Sequence, residues 1–220
     1  MFTQEEINAI HRVIKTRRDI RSFLPTSIPK ELLFQIIEAA HHAPSVGFMQ
    51  PWNFIVISSN EIKKKIAWAA EKERRALSIH YEEDDRADKF LSLKIEGIQE
   101  APYTICVTCD PTRGGSHVLG RNSIPETDIM STSCAIQNMM LAACAEGVAM
   151  GWVSFYKKAD IRAILDIPPH IDPIAILSVG YTNHYPKAPI LETAKWERRR
   201  NLSQLISYEK WGRTTPTSEE

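Results

Sequence analysis

The stretch between Pro125-Glu126 and Gly147 constrains the fold of this chain more than any other. Proline in a first turn and glycine just past a last one are signals that open and close a helix. Between them, Ile129, Ala135, Ile136, Met139, Met140 and Ala143 spread apolar side chains over a wide arc. A helix apolar over so much of its circumference belongs in the middle of a core. Its surroundings must supply apolar faces, and the chain provides them. β-Branched runs at 53–57, 103–109, 149–155 and 173–181 read as strands. Thr3 followed by Glu6 is a capping box, and Ile7, Ile10, Val13 and Ile14 then recur on one helical face. Pro29, placed in a first turn, opens a second helix with Leu32, Leu33, Ile36, Ile37 and Ala40 inward. Residues 61–99 are helical in pattern and heavily charged, and the acidic-basic stretch 81–89 reads as solvent-facing or mobile, a candidate lid. The alternation predicts a mixed α and β domain, without revealing the order of the strands.

At 220 residues and 43% apolar composition, one domain spanning 1–220 is expected. Residues 186–212 read as a Pro-containing extension with no core of its own, suited to wrapping a second copy in a homodimer, and 213–220 as a disordered tail. There is no internal repeat and no G-x-G-x-x-G.

Lys+Arg and Asp+Glu each number 27, so no whole-molecule field steers the chain onto nucleic acid or an anionic membrane. No apolar run approaches the roughly 20 residues of a membrane span, and no secretory signal is visible, so a cytoplasmic location is expected. Cys106 and Cys109 form a C-x-x-C, but residues three apart on a strand point to opposite faces, and no second cysteine pair accompanies them. The seven histidines show no H-E-x-x-H. No metal is expected.

Any charged site must therefore be local. Arg17-Arg18-Asp19-Ile20-Arg21 places three cations and one carboxylate at the end of the first helix. Arginine suits bidentate capture of phosphate oxygens. The same residues also read as a solvated helix end whose cations complement the dipole. A second candidate is the loop Ala43-Pro-Ser-Val-Gly-Phe-Met-Gln-Pro-Trp52, where Gly47 permits close backbone approach and Ser45 and Gln50 are polar. Together they offer what a flavin mononucleotide needs: cations for its phosphate, an apolar slot, and donors for its polar ring edge. The competing reading of the loop is a plain connection with Trp52 as core filler.

Arg-Arg-x-x-Arg followed about two dozen residues later by Ala-Pro-Ser-x-x-x-x-Gln-Pro-Trp resembles the FMN-binding signature of the nitroreductase superfamily. Ser45-Val-Gly-Phe-Met-Gln-Pro-Trp-Asn-Phe54, Cys106-Val-Thr-Cys-Asp, Arg113-Gly-Gly and Ala142-Ala-Cys-Ala-Glu-Gly-Val-Ala-Met-Gly-Trp-Val-Ser154 narrow the similarity to its flavin-destroying branch, the 5,6-dimethylbenzimidazole synthases. The resemblance implies an α+β fold with a central, mostly antiparallel sheet flanked by helices, and a C-terminal extension exchanged in a homodimer. It also implies that reduced FMN is the substrate and O2 the co-substrate, fragmented to 5,6-dimethylbenzimidazole and erythrose 4-phosphate, with a separate flavin reductase supplying the reduced FMN. By match to the family, Arg17, Arg18, Asp19, Ile20, Arg21, Ser45, Gln50, Ser154 and Arg199 contact the flavin. Asp19 would be the base or proton shuttle and Ser154 the hydrogen-bonding group near the reacting edge. Reductases of the superfamily tend to carry Ser in place of Asp19 and Asn in place of Phe48, and Phe48 would make the slot drier. The alternatives are an NAD(P)H-dependent FMN reductase that keeps its flavin, and a non-catalytic flavin carrier.

Overall fold

A computed structural model describes residues 1–81 and 86–214. Two compact units divide the chain, Met1–Tyr185 and Pro186–Glu220.

In the first unit, helix α1 spans Gln4–Thr16 and opens with the expected capping box between Thr3 and Glu6. None of its residues is buried, and Ile10 and Ile14 are about half exposed. The apolar stripe exists, but this chain does not cover it. Helix α2, Lys30–His41, takes Pro29 as the residue before the helix rather than in its first turn. Leu33, Ile36 and Ala40 point into the core, with Leu32 and Ile37 at its margin. Strand β1 (Trp52–Ile57) follows, then helix α3 (Asn60–Ser78), the short helix α4 (Ala87–Ser92), strand β2 (Tyr103–Cys109), helix α5 (Thr127–Ala145), strand β3 (Ala149–Val153), helix α6 (Lys158–Leu165) and strand β4 (Asp172–Gly180). Of the charged segment 81–89, residues 82–85 lie outside the described residues.

The four strands form one sheet in the order β1-β2-β4-β3, every adjacent pair antiparallel. This α+β arrangement is the expected one. Alternation along the strands sends Ile105, Val107, Ala175 and Leu177 to a core shared with α2 and α5, and Cys106 and Ile176 to a second core with α3 and α6. Helix α5 is the central helix anticipated from its apolar arc, with Ala135, Ile136, Met139 and Ala143 fully buried. Burying a side chain the size of Ile136 or Met139 contributes about 1.5–3 kcal/mol. Ile129, at the start of the same helix, is partly exposed instead.

Cys106 and Cys109 fall on opposite faces of β2, as strand geometry requires. Burial pushes the Cys106 thiol up to about 12, and burial also raises that of Cys109. A thiol reagent at neutral pH should label exposed Cys134 quickly and leave Cys106 and Cys109 unmodified until the protein unfolds. Fast labelling of Cys106 in the folded protein would contradict this burial. Among the described residues no group of His, Cys, Asp or Glu could hold a metal ion, and no helix is long and apolar enough to cross a membrane.

The second unit contains the one-turn helix α7 (Ile190–Thr193), a 3-10 turn at Leu202–Leu205 and an Arg213–Glu209 ion pair of 2.9 Å. Among its described residues none is buried. The tail expected at 213–220 lies outside the described residues from 215 onward.

Candidate functional site

Helix α1 ends because Arg17 leaves helical geometry, with φ −51° and ψ 135°. From there the chain runs extended beside β3 and pairs with it in parallel, Asp19 opposite Met150, the one parallel pairing among the described residues. Ile20 N–H donates to Met150 O at 2.8 Å, and the Ile20 side chain is buried, which anchors the segment. The next two bonds build the site. Trp152 N–H donates to Asp19 Oδ1 at 2.9 Å, and Arg21 Nη2 donates to Trp152 O at 2.7 Å. Arg17 Nη1 reaches Asp19 Oδ2 at 3.4 Å, and Arg21 Nη2 stands 3.7 Å from Asp19 Oδ1. A carboxylate that remains 41% exposed is thus oriented by one backbone amide and two guanidinium groups.

The approach is possible only because residue 151 is glycine. A Cβ there would lie 2.0 Å from the Ile20 carbonyl oxygen and 2.9 Å from Arg21 Nη1. Burial lowers the pKa of the Arg21 guanidinium, and the charges of Asp19 and Glu96 act in the opposite direction. Arg18 behaves differently from its neighbours. Its Nη1 donates to the Lys15 and Arg17 carbonyls at 2.8 and 2.7 Å, so it serves the end of α1, which is the helix-end role the sequence also allowed. Its backbone N–H donates to Tyr185 Oη at 3.2 Å, and Tyr185 in turn bonds Cys144 Sγ at 3.3 Å. Burial is the largest cause pushing the Tyr185 hydroxyl up to about 12, which keeps it a neutral donor at physiological pH. Ser154 is exposed, one residue past the end of β3.

The loop before β1 is built by different means. Ser45 Oγ accepts from Gln50 N–H at 3.0 Å, and Val46 N–H donates to Ser131 Oγ on α5, also at 3.0 Å. Gly47, Phe48 and Gln50 all have positive φ, near 50°. A Cβ on Gly47 would meet the Leu119 backbone at 2.9 Å. Arg113 staples the loop end: its Nη1 donates to Gln50 O at 2.7 Å and Trp52 O at 2.9 Å, and its Nη2 to Asn53 Oδ1 at 2.6 Å. Trp52 is core, with its Nε1–H donating to His41 Nδ1 at 3.2 Å. Phe48, expected to dry a slot, projects into solvent and is 81% exposed in this chain.

The sequence reading joined both clusters in one slot. Within the first unit they stand apart. Ser131 marks the loop's end of α5 and Cys144 the arginine end, 13 residues away, which at 1.5 Å per residue is about 20 Å. In the sheet, β1 and the 19–21 segment likewise occupy opposite edges. Sequence spacing could not reveal this, because strand order decides it. Arg199 lies in the second unit, exposed. Gly151, Arg113 and Tyr185 play structural parts that their spacing does not announce, although Gly151 and Arg113 stand inside the motifs Ala142–Ser154 and Arg113-Gly-Gly.

Residues 14–181 match the nitroreductase family. The chain is 33% identical over 203 residues to a 5,6-dimethylbenzimidazole synthase of Rhodospirillum rubrum, covering 91% of this chain and 94% of that one. Among solved structures, a BluB-like flavoprotein of Clostridium difficile 630 superposes with a TM-score of 0.69 at 20% identity, covering 91% and 99% of the two chains. An iodotyrosine deiodinase solved with FMN and 3-iodo-L-tyrosine gives 0.68 at 21% identity, covering 82% and 94%. These two likenesses speak for the fold.

Proposed function

The chain belongs to the nitroreductase family, and on that premise we propose that it is an FMN-binding oxidoreductase that consumes reduced FMN and O2 to form 5,6-dimethylbenzimidazole and D-erythrose 4-phosphate, a step toward the lower ligand of cobalamin. The observation that carries this reading is Asp19: a carboxylate fixed by the Trp152 amide between two arginines, beside the strand β3, with Ser154 one residue past that strand's end. Similarity to the synthase along nearly the whole chain supports it.

The donor set fits a phosphate-bearing flavin, since cations outnumber the one carboxylate three to one over residues 17–21. Arg17 and Arg21 would bind the phosphate, Arg18, whose Nη1 serves the end of α1, would steady the segment beside them, and the Ile20 backbone lines the approach. When bound, the reduced flavin supplies the electrons for reaction with O2 and the carbon skeleton of the products. Asp19, held in one rotamer by Trp152 N–H on Oδ1, would take up a proton at Oδ2, which Arg17 Nη1 approaches at 3.4 Å. Ser154, exposed just past β3, would supply a hydroxyl donor near the reacting edge.

Ser45, Gln50 and Phe48 enter through a second copy of the chain. Their distance from the arginines within one protomer supports a homodimer in which the loop of one protomer completes the site of the other. Exposed apolar side chains on α1 and beside the loop, Ile10, Ile14, Phe48, Leu119 and Met130, are the kind of surface such an interface covers. Reduced FMN would come from a separate reductase.

Mixing the protein with chemically reduced FMN in air tests the reading. Loss of flavin with stoichiometric appearance of dimethylbenzimidazole is expected. Full recovery of oxidised, intact FMN would sink the synthase reading and leave a flavin-keeping reductase or a non-catalytic flavin carrier.

A further inference from the structure

Residues directly opposite one another in antiparallel strands carry their side chains on one face. Across this sheet Ile57 faces Thr104, Thr104 faces Ser178, and Ser178 faces Gly151. The row lies under α3 and α6, because Ile57 belongs to that core together with Cys106, Ile176 and Val153, each two places along from a row member. Thr104 and Ser178 are 0% exposed, yet among the described residues neither Oγ has a hydrogen-bond partner. At the end of the row, where a Gly151 side chain would stand, lies Arg21 Nη1, likewise buried without a partner. Buried polar atoms in native proteins are paired with protein or with ordered water, so three neighbouring exceptions share one explanation.

We infer that internal water occupies this row, bridging Arg21 Nη1, Ser178 Oγ and Thr104 Oγ1. Neighbouring Cβ positions in such a row stand about 4.5–5.5 Å apart, a span that a water closes with two ordinary hydrogen bonds. Two hydroxyls and a guanidinium amino group supply the several polar partners that a buried water requires. The consequence reaches the candidate site. A guanidinium is planar and rigid, so fixing Nη1 fixes Nη2, the atom that bonds Trp152 O and faces Asp19. Thr104 and Ser178 are therefore positioning residues: they act through water on Arg21, and through Arg21 on Asp19. Only this last consequence for catalysis rests on the function proposed above.

Thr104→Val, Thr104→Ser and Ser178→Ala test the inference in the flavin-free protein. A high-resolution crystal structure of the wild type should show water within about 3.2 Å of both Arg21 Nη1 and Ser178 Oγ. Thr104→Ser should retain the water. Thr104→Val and Ser178→Ala should lose or displace it, lower the melting temperature by a few degrees, and collapse the resolved Nη resonances of Arg21 in nitrogen NMR. The opposite sign overturns the inference: if the hydroxyls are dry and unpaired, removing them relieves an unmet polar cost, so Thr104→Val would raise the melting temperature. A dry row in the wild-type crystal, or an Arg21 spectrum unchanged by both substitutions, would also overturn it. Because no flavin is present, a hydrated row alongside intact FMN in the aerobic assay would sink the synthase reading alone.

Discussion

Asp19→Asn should lower the rate of flavin consumption by at least about 100-fold, the usual worth of a positioned general base. Binding of FMN should change little. Asparagine keeps an oxygen to accept from Trp152 N–H, so the backbone contact that orients the side chain survives. What disappears is the proton acceptor and the ion pairing with Arg17 and Arg21, whose contacts of 3.4 and 3.7 Å involve a carboxylate 41% exposed to solvent. Pairs at that exposure are worth about 0–1 kcal/mol, which limits the change in affinity to about fivefold. Product yield with reduced FMN in air and equilibrium titration with oxidised FMN measure the two quantities separately. A variant that still makes dimethylbenzimidazole at the wild-type rate would show that another group accepts the proton.

Gly151→Ala should have the larger effect on structure. Its Cβ would lie 2.0 Å from the Ile20 carbonyl oxygen, a contact with backbone rather than with a flexible side-chain tip. Relief requires the 19–21 segment to move off β3, which breaks Ile20 N–H to Met150 O, Trp152 N–H to Asp19 and Arg21 to Trp152 O together. Forced overpacking of this kind typically costs about 1–3 kcal/mol. The denaturant midpoint should fall accordingly, FMN affinity should drop by at least about tenfold as the arginines lose their mount, and synthase activity should vanish. Unchanged affinity would mean that the segment does not present the arginines to the ligand.

How far the molecule could be read in advance depended on whether a feature is local. The capping box of α1, the opposed faces of Cys106 and Cys109, and the central role of α5 follow from the periods of helix and strand, and each is found in the structure. The site is less local. Residues 17–21 and 45–52 were legible as polar, flavin-suited clusters, yet nothing in their spacing told that β2 and β4 would separate β1 from β3 and put the clusters at opposite edges of the sheet. Arg18 illustrates the same limit on a smaller scale. Its type suits a phosphate, but the helix end beside it offers two carbonyls at short range, and they take its Nη1. The apolar stripe of α1 was visible too; the absence of a cover for it within one chain was not.

The parallel pairing of Asp19 with Met150 also sets a schedule for biosynthesis. Asp19 and Trp152 are 133 residues apart in the chain. At about 5–20 residues per second, a ribosome that has released the arginine cluster needs roughly 7–27 s more to make the strand that receives it. During that interval the segment after α1 carries Asp19 and Arg21 without the strand that holds them. A nascent chain that stops short of β3 therefore carries the recognisable motif without the strand that mounts it, and ligand can assist folding only after β3 has emerged.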